Sequence, residues 1–320
     1  HAVINNPQGA DPRRAPEENG MNQTNTSSTQ TAKGGAQLSQ ARVALVVGAS
    51  SGIGAATAKL LAQQGWTVYA AARRVERLQQ LGAGIRPLAL DVGDPTAIAT
   101  ALGTLMSETG RIDALVNCAG WGGIGALEFT PLDEARRMFE VNVFGLAAVM
   151  KQVIPHMRAR GQGHIVNVAS MAGLMPFPLS SWYVASKHAV VGLSASAAFE
   201  LNQCGIQIAV VEPGAIVTEF SEGIDASPDD FAGDPYATLC AQMRRFADHS
   251  YRTQGVGPEV IARRVAGILD DPKPRLHYID PAYARRDVLL AKLLPARWFR
   301  ALVLKQAAAL RPADKATDAA

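Results

Sequence analysis

The sequence predicts an α/β chain built on a single doubly wound parallel sheet of about seven strands. Three observations carry that expectation. First, short apolar runs recur at Val43–Val47, Thr67–Ala71, Pro87–Leu90, Ala114–Val116, His164–Val168, Gln207–Val211 and Arg275–Ile279. They are rich in β-branched residues and show no polar alternation, the texture of parallel strands covered on both faces. Second, helix-length periodic segments lie between them: Ala55–Gln63, Thr96–Ser107, Leu132–Met157 (with a bend expected near Pro155) and Tyr183–Asn202. Third, a glycine-rich turn joins the first strand directly to the first helix.

Bulk properties fit one large folded unit. The chain has 320 residues, 48% hydrophobic and 18% charged, enough apolar material for a sizeable core. A net charge of +3, evenly spread, gives no ground for nucleic-acid binding. Cys118, Cys204 and Cys240 are far apart in sequence, as expected of reduced thiols in a cytoplasmic protein and not of a disulfide framework. No run approaches the length of an apolar membrane span, so no transmembrane segment is expected. The N-terminus lacks the apolar stretch of a secretion signal. His156, His164, His188, His249 and His277 show no ligand spacing, and no metal site is expected.

Three segments stand outside the strand–helix alternation. Residues 1–40 are rich in Asn, Gln, Thr, Ser, Gly and Pro, and read as a disordered segment ahead of a folded domain spanning 41–283. The part before Met21 looks like upstream sequence and is left out of the fold. Ser221–Gly257 carries Gly, Pro and Asp punctuation around a helix ending near Tyr251, just beyond a strand end. Ligands bind at that edge of open α/β sheets, so this segment reads as a substrate lid. Residues 284–320 form a C-terminal extension and tail. Within it, Arg285–Leu310 is a basic amphipathic helix pair interrupted at Pro295, with peripheral membrane contact or a subunit contact as its open roles.

The chemistry begins at Gly48-Ala49-Ser50-Ser51-Gly52-Ile53-Gly54. Glycines there allow a tight turn and close backbone approach, and the following helix offers free N–H groups to a pyrophosphate. At the end of the second strand, Ala72 is followed by Arg73 and Arg74, with no acid to accept the ribose hydroxyls of NAD. Arginine at this point suits the 2′-phosphate of NADP, and cationic residues opening a helix are otherwise poorly placed. NADP(H) is therefore the expected cofactor.

Tyr183 and Lys187 stand at i and i+4 on one helix face. A free tyrosine, with a pKa of about 10, is a poor base at neutral pH, and a nearby ammonium favours its phenolate. Ser170 ends the fifth strand, where its hydroxyl can donate to a substrate carbonyl oxygen. Asn142 stands inside a predicted helix, a mediocre position on propensity alone.

Together these motifs resemble the short-chain dehydrogenase/reductase family, over roughly residues 42–279. The turn follows the family's T-G-x-x-x-G-x-G except that Val47 replaces the threonine whose hydroxyl tethers the turn. Asn117-Cys118-Ala119-Gly120 follows N-N-A-G, departing at Cys118. The resemblance implies a Rossmann-type fold and a catalytic tetrad of Asn142, Ser170, Tyr183 and Lys187. It implies that Asp91 and Val92 contact adenine and that Asn117, Ala119 and Gly120 form the cofactor wall. Pro213, Gly214, Val217 and Thr218 would close over the nicotinamide. Asn142 would hold a proton-relaying water, and Lys187 would also bind the nicotinamide ribose.

By the same resemblance the activity is carbonyl–alcohol interconversion, particularly of the kind carried out by retinol- and hydroxysteroid-dehydrogenase-like members, in a homodimer or homotetramer. Trp121, Met171, Phe177, Trp182 and Phe220 are candidate substrate-pocket residues, an aromatic and Met content suited to an apolar carbonyl or alcohol. Two other readings stay open. One is a dehydratase or epimerase on the same fold; the other is an idle NADP-binding sensor or scaffold.

Overall fold

The computed structural model describes residues 41–222 and 235–310. The predicted disorder of 1–40, most of the loop part of the lid and the tail beyond 310 lie outside the described residues. Seven strands form one fully parallel sheet in the order β3-β2-β1-β4-β5-β6-β7. They are β1 (Val43–Val47), β2 (Thr67–Ala72), β3 (Ile85–Ala89), β4 (Ala114–Asn117), β5 (Gly163–Val168), β6 (Ile206–Pro213) and β7 (His277–Asp280). Each expected strand is present, with its ends moved by no more than two residues.

The helices are α1 (Gly52–Gln63), α2 (Val75–Gln79), α3 (Pro95–Thr109), α4 (Leu132–Phe139), α5 (Leu146–Ala159), α6 (Ser181–Leu201), α7 (Glu219–Glu222), α8 (Ala237–Gln254), α9 (Pro258–Asp270), α10 (Ala282–Leu293) and α11 (Ala296–Ala309). Successive residues of β1 serve opposite faces, as strand geometry requires. Leu45 and Val47 join a core with Leu102 of α3, Val149 and Val153 of α5 and Val190 of α6. Ala44 and Val46 join a second core with Leu61 of α1 and Ile261 and Val265 of α9. Both faces of the sheet are thus covered, which is why its strands read as continuous apolar runs.

Local signals set both ends of α3. Asp94 caps α3 by accepting from the Thr96 N–H at 2.8 Å, with Pro95 in the first turn. Gly110 closes the same helix in the left-handed region, at φ 64°. The long pattern from Leu132 is one helical run with a change of hydrogen-bond pattern that the sequence did not show. Pro155 lies inside α5, and the departure is a π-helical segment at Glu140–Gly145 that holds Asn142. By length and composition the run 132–159 could cross a membrane, yet its apolar side is spent on the sheet, through Val149, Val153 and Met157.

Candidate active site

From β1 the sheet grows through β2 and β3 on one side and through β4 to β7 on the other, so its order reverses between β1 and β4. Ligands of open α/β sheets bind beyond the strand ends at such a switch point. A cleft of about 870 Å³ opens there, reaching from the glycine turn and Arg73 to helices α10 and α11.

The glycine turn is tied to β2 by backbone alone: the Gly48 and Ala49 N–H groups both donate to the Ala71 carbonyl, at 2.8 and 3.2 Å. This bond set holds the turn where Val47 offers no hydroxyl. Gly48 sits at φ 80°, and a Cβ there would come within 2.5 Å of the Ala119 nitrogen. At Gly52, φ 54°, a Cβ would press on the Thr218 side chain at 3.2 Å, filling the gap between the turn and the segment after β6. No acidic side chain occupies the first turn of α1, so its N-terminal N–H groups face the cleft without a competing carboxylate.

Arg73 and Arg74 line the far end of this cleft. Arg74 donates to the Ser50 hydroxyl at 3.0 Å and lies 3.5 Å from Glu219, which Arg77 engages at 2.6 Å. Arg73 has no ion pair among the described residues. Asp91 and Val92 line the cleft as well; the Asp91 carboxylate accepts from the Gly93 N–H at 3.0 Å. These features suit a dinucleotide: a glycine cradle with room for phosphate, a helix N-terminus, and cations at its ribose end.

At the other end, Ser170, Tyr183 and Lys187 converge from β5 and α6. Lys187 is buried, and its Nζ donates to the Val168 carbonyl at 3.1 Å and lies 5.8 Å from the Tyr183 ring centre. Burial pulls the Lys187 ammonium down to about 8. The Tyr183 phenol moves the other way: desolvation pushes it well above its ordinary value, with the Ser170 hydroxyl pulling it back in part. The expectation that Lys187 leaves the phenol lowered therefore does not hold here, because desolvation is the larger influence. Cys118 stands beside Lys187, its thiol raised to about 12 by burial.

Asn142 is buried and its side chain is fully used. Its amide donates to the Trp121 carbonyl at 2.9 Å and to Ser186 Oγ at 3.1 Å, and its carbonyl accepts from the Trp121 N–H at 3.0 Å. It thus clamps the loop after β4 to α6, and the surrounding π-segment shifts the helix bonding pattern around it. Asn142 touches the site through Trp121 and Ser186, not through the cleft itself.

Of the residues picked from sequence, the structure brings most together. Ala119, Gly120, Pro213, Gly214 and Thr218 line the cofactor half, and Trp121, Met171, Phe177 and Phe220 the other. Besides Asn142, three do not reach the cleft. Asn117 turns into the core, donating to Asn167 Oδ1 at 2.9 Å. Val217 faces outward and is exposed. Trp182 packs edge-on against Phe139, 6.4 Å between ring centres, since the residue beside Tyr183 on a helix must point elsewhere.

Sequence reasoning missed others. Gly122 allows the Tyr183 ring to approach, for a Cβ there would sit 2.8 Å from its Cδ2. Tyr251, whose hydroxyl is raised to about 12 by burial, and Tyr283, which accepts a short bond from the Ala215 N–H, both line the cleft. So do Met243, Phe246, Phe299 and Val303. These come from α8, α10 and α11, and no local pattern says where such late helices dock.

The chain matches the short chain dehydrogenase family over residues 42–229 and belongs to it. It is 32% identical over 235 residues to a 3-ketodihydrosphingosine reductase of Bacteroides thetaiotaomicron, covering 73% of this chain and 86% of that protein. It is 33% identical to bovine retinol dehydrogenase 8, covering 73% and 80% of the two chains. It is also 32% identical to human 17-beta-hydroxysteroid dehydrogenase type 1, covering 74% and 76%. Among solved structures, a short-chain dehydrogenase of Streptomyces avermitilis superimposes with a TM-score of 0.70 at 33% identity, over 83% of this chain and 96% of that one. Neighbours have been solved with either cofactor. A Burkholderia phymatum family member in complex with NAD has a TM-score of 0.69 at 25% identity, over 78% and 92% of the chains. An actinorhodin polyketide ketoreductase with NADPH has a TM-score of 0.62 at 29%, over 72% and 90%.

Proposed function

We propose that this protein is an NADP(H)-dependent carbonyl reductase acting on an apolar ketone or aldehyde, with Tyr183 as the proton donor. The single observation that carries the reading is the convergence of Ser170, Tyr183 and Lys187 at one end of a cleft whose other end is the glycine turn with Arg73 and Arg74.

When bound, the nicotinamide supplies the hydride. The chain's own groups do the rest. The α1 N-terminus and the glycine turn accept the pyrophosphate, and Arg73 and Arg74 take a 2′-phosphate. Ser170 donates a hydrogen bond to the substrate oxygen and holds it beside the phenol. Tyr183, raised by burial, keeps its proton at neutral pH, so it is set to give that proton to an oxygen gaining negative charge. Lys187, still mostly charged near neutrality, steadies the tyrosinate left behind. Asn142 is a positioning residue, holding Trp121 and the Tyr183 helix in register.

The apolar half of the cleft, with Met171, Met175, Phe177, Phe220, Phe246 and Phe299, supports an apolar substrate. The names of the sphingosine, retinol and steroid relatives point to the same chemical class. Following NADPH absorbance against a panel of long-chain keto-lipids, steroid ketones and retinal tests the reading. Consumption with at least one is the expected result. NADPH binding with no consumption across the panel would favour a sensor, and product formation without net consumption an epimerase.

A further inference from the structure

The two C-terminal helices carry a surface that the reaction does not use. On their outer side Leu289, Leu293, Trp298 and Leu304 are exposed, Leu293 at 71% and Trp298 at 59%. Leu289 and Leu293 stand at i and i+4 on one face of α10, and large apolar side chains exposed together on a surface mark an interaction site more often than chance. The same helices, Ala282–Ala309, bear six cations against the single acid Asp287; Arg285 pairs with Asp280 and Arg286 with Asp287, which leaves Lys292, Arg297, Arg300 and Lys305 without an ion pair among the described residues. The whole chain is only +3, so the remainder is net negative and the positive charge is concentrated here. On their inner side these helices pack Ala284, Val288 and Phe299 on Met171 and Met175. Leu290, Leu302 and Val303 line the cleft, and Leu290 is also partly exposed, so the outer face adjoins the mouth of the apolar half.

We propose that the outer face of α10 and α11 is a docking surface for a bilayer containing anionic lipid, laid against the substrate end of the cleft. Basic side chains flanking exposed Leu and Trp match such a surface in both charge and amphipathic depth: aliphatic stems and the indole enter the headgroup boundary while the cationic tips meet the lipid charge. A purely electrostatic partner would leave Leu293 and Trp298 unexplained, and a purely apolar one would leave Lys292, Arg297, Arg300 and Lys305 unexplained. An apolar substrate dissolved in that bilayer would then enter beside Leu290 without crossing water. The docking itself does not depend on which substrate is reduced, and it is read without turnover.

Sedimentation with phosphatidylcholine vesicles, with and without phosphatidylglycerol, tests it on the full chain. The expected result is sedimentation with the anionic vesicles only, reversed by high salt. Replacing Lys292, Arg297 and Arg300 by glutamate should weaken the affinity by about 100-fold, at roughly tenfold or less per lost cation. Leu293→Glu with Trp298→Glu should abolish it while leaving NADPH binding and vesicle-free turnover unchanged, since neither side chain lines the cleft. Absence of sedimentation with anionic vesicles overturns the proposal, as does equal sedimentation with neutral ones. A fall in particle mass of the Leu293/Trp298 variant by light scattering, without vesicle binding by the parent, would show a contact between copies instead.

Discussion

At the residue scale the decisive fact is the opposite movement of two buried groups. Desolvation raises the Tyr183 phenol and lowers the Lys187 ammonium to about 8, so each is biased towards its neutral form. For Lys187 this has a stability consequence with a definite sign. Its unfolded value is near 10.5, so between about 8 and 10.5 the unfolded chain binds more protons and stability rises with pH. Below about 8 the folded protein carries the full cost, about 3 kcal/mol from the shift. Lys187→Met removes that cost but leaves the Val168 carbonyl without its donor, a loss of about 1–3 kcal/mol. Denaturant unfolding should therefore show the variant at its best relative to the parent near pH 7, with that advantage shrinking and reversing towards pH 10. A gap that stays constant across that range would show that Lys187 is not depressed. The Tyr183–Lys187 pair, Ser170 and the glycine turn were all legible in sequence, because each rests on fixed short spacing. The desolvation that sets the phenol's value was not, for it depends on side chains such as Phe220 and Tyr251 that arrive from distant parts of the chain.

At the element scale the two ends of the cleft differ in how they were read. The segment between β2 and α2 is a short connection, so Arg73 and Arg74 could be expected at that end of the cleft from sequence alone. The structure adds Glu219 from α7, whose carboxylate is held low by Arg77 and Arg74 and shares Arg74 with whatever binds there. Arg73 is then the cleaner test of cofactor choice. A charge-assisted contact is worth about 1.5–3 kcal/mol, so Arg73→Ser should lower kcat/KM for NADPH by about 10–100-fold and leave that for NADH nearly unchanged. Equal losses with both cofactors would contradict the assigned role. The π-segment at Asn142 was not foreseen for a physical reason. Proline is the visible helix breaker in sequence, whereas the π-segment at Asn142 arises from tertiary bonds to Trp121 and Ser186.

At the scale of the whole molecule, the parallel sheet was the most legible feature, since burial on both faces writes itself into Val43–Val47, Ile206–Pro213 and their partners as unbroken apolar runs. The substrate half was the least legible. Trp182 looked like a pocket residue by composition and turned out to pack on Phe139, while Tyr251, Tyr283 and Phe299 arrive from helices far along the chain. The cofactor half is thus encoded locally and the substrate half by the docking of α8, α10 and α11, which is why the reaction class could be read earlier than the substrate. The most direct test of the central claim is the single-turnover rate of Tyr183→Phe with NADPH and the best substrate from the carbonyl panel. Loss of the proton donor should slow reduction by about 10²–10⁴-fold with NADPH affinity unchanged. Turnover at the parent rate in that variant would contradict it.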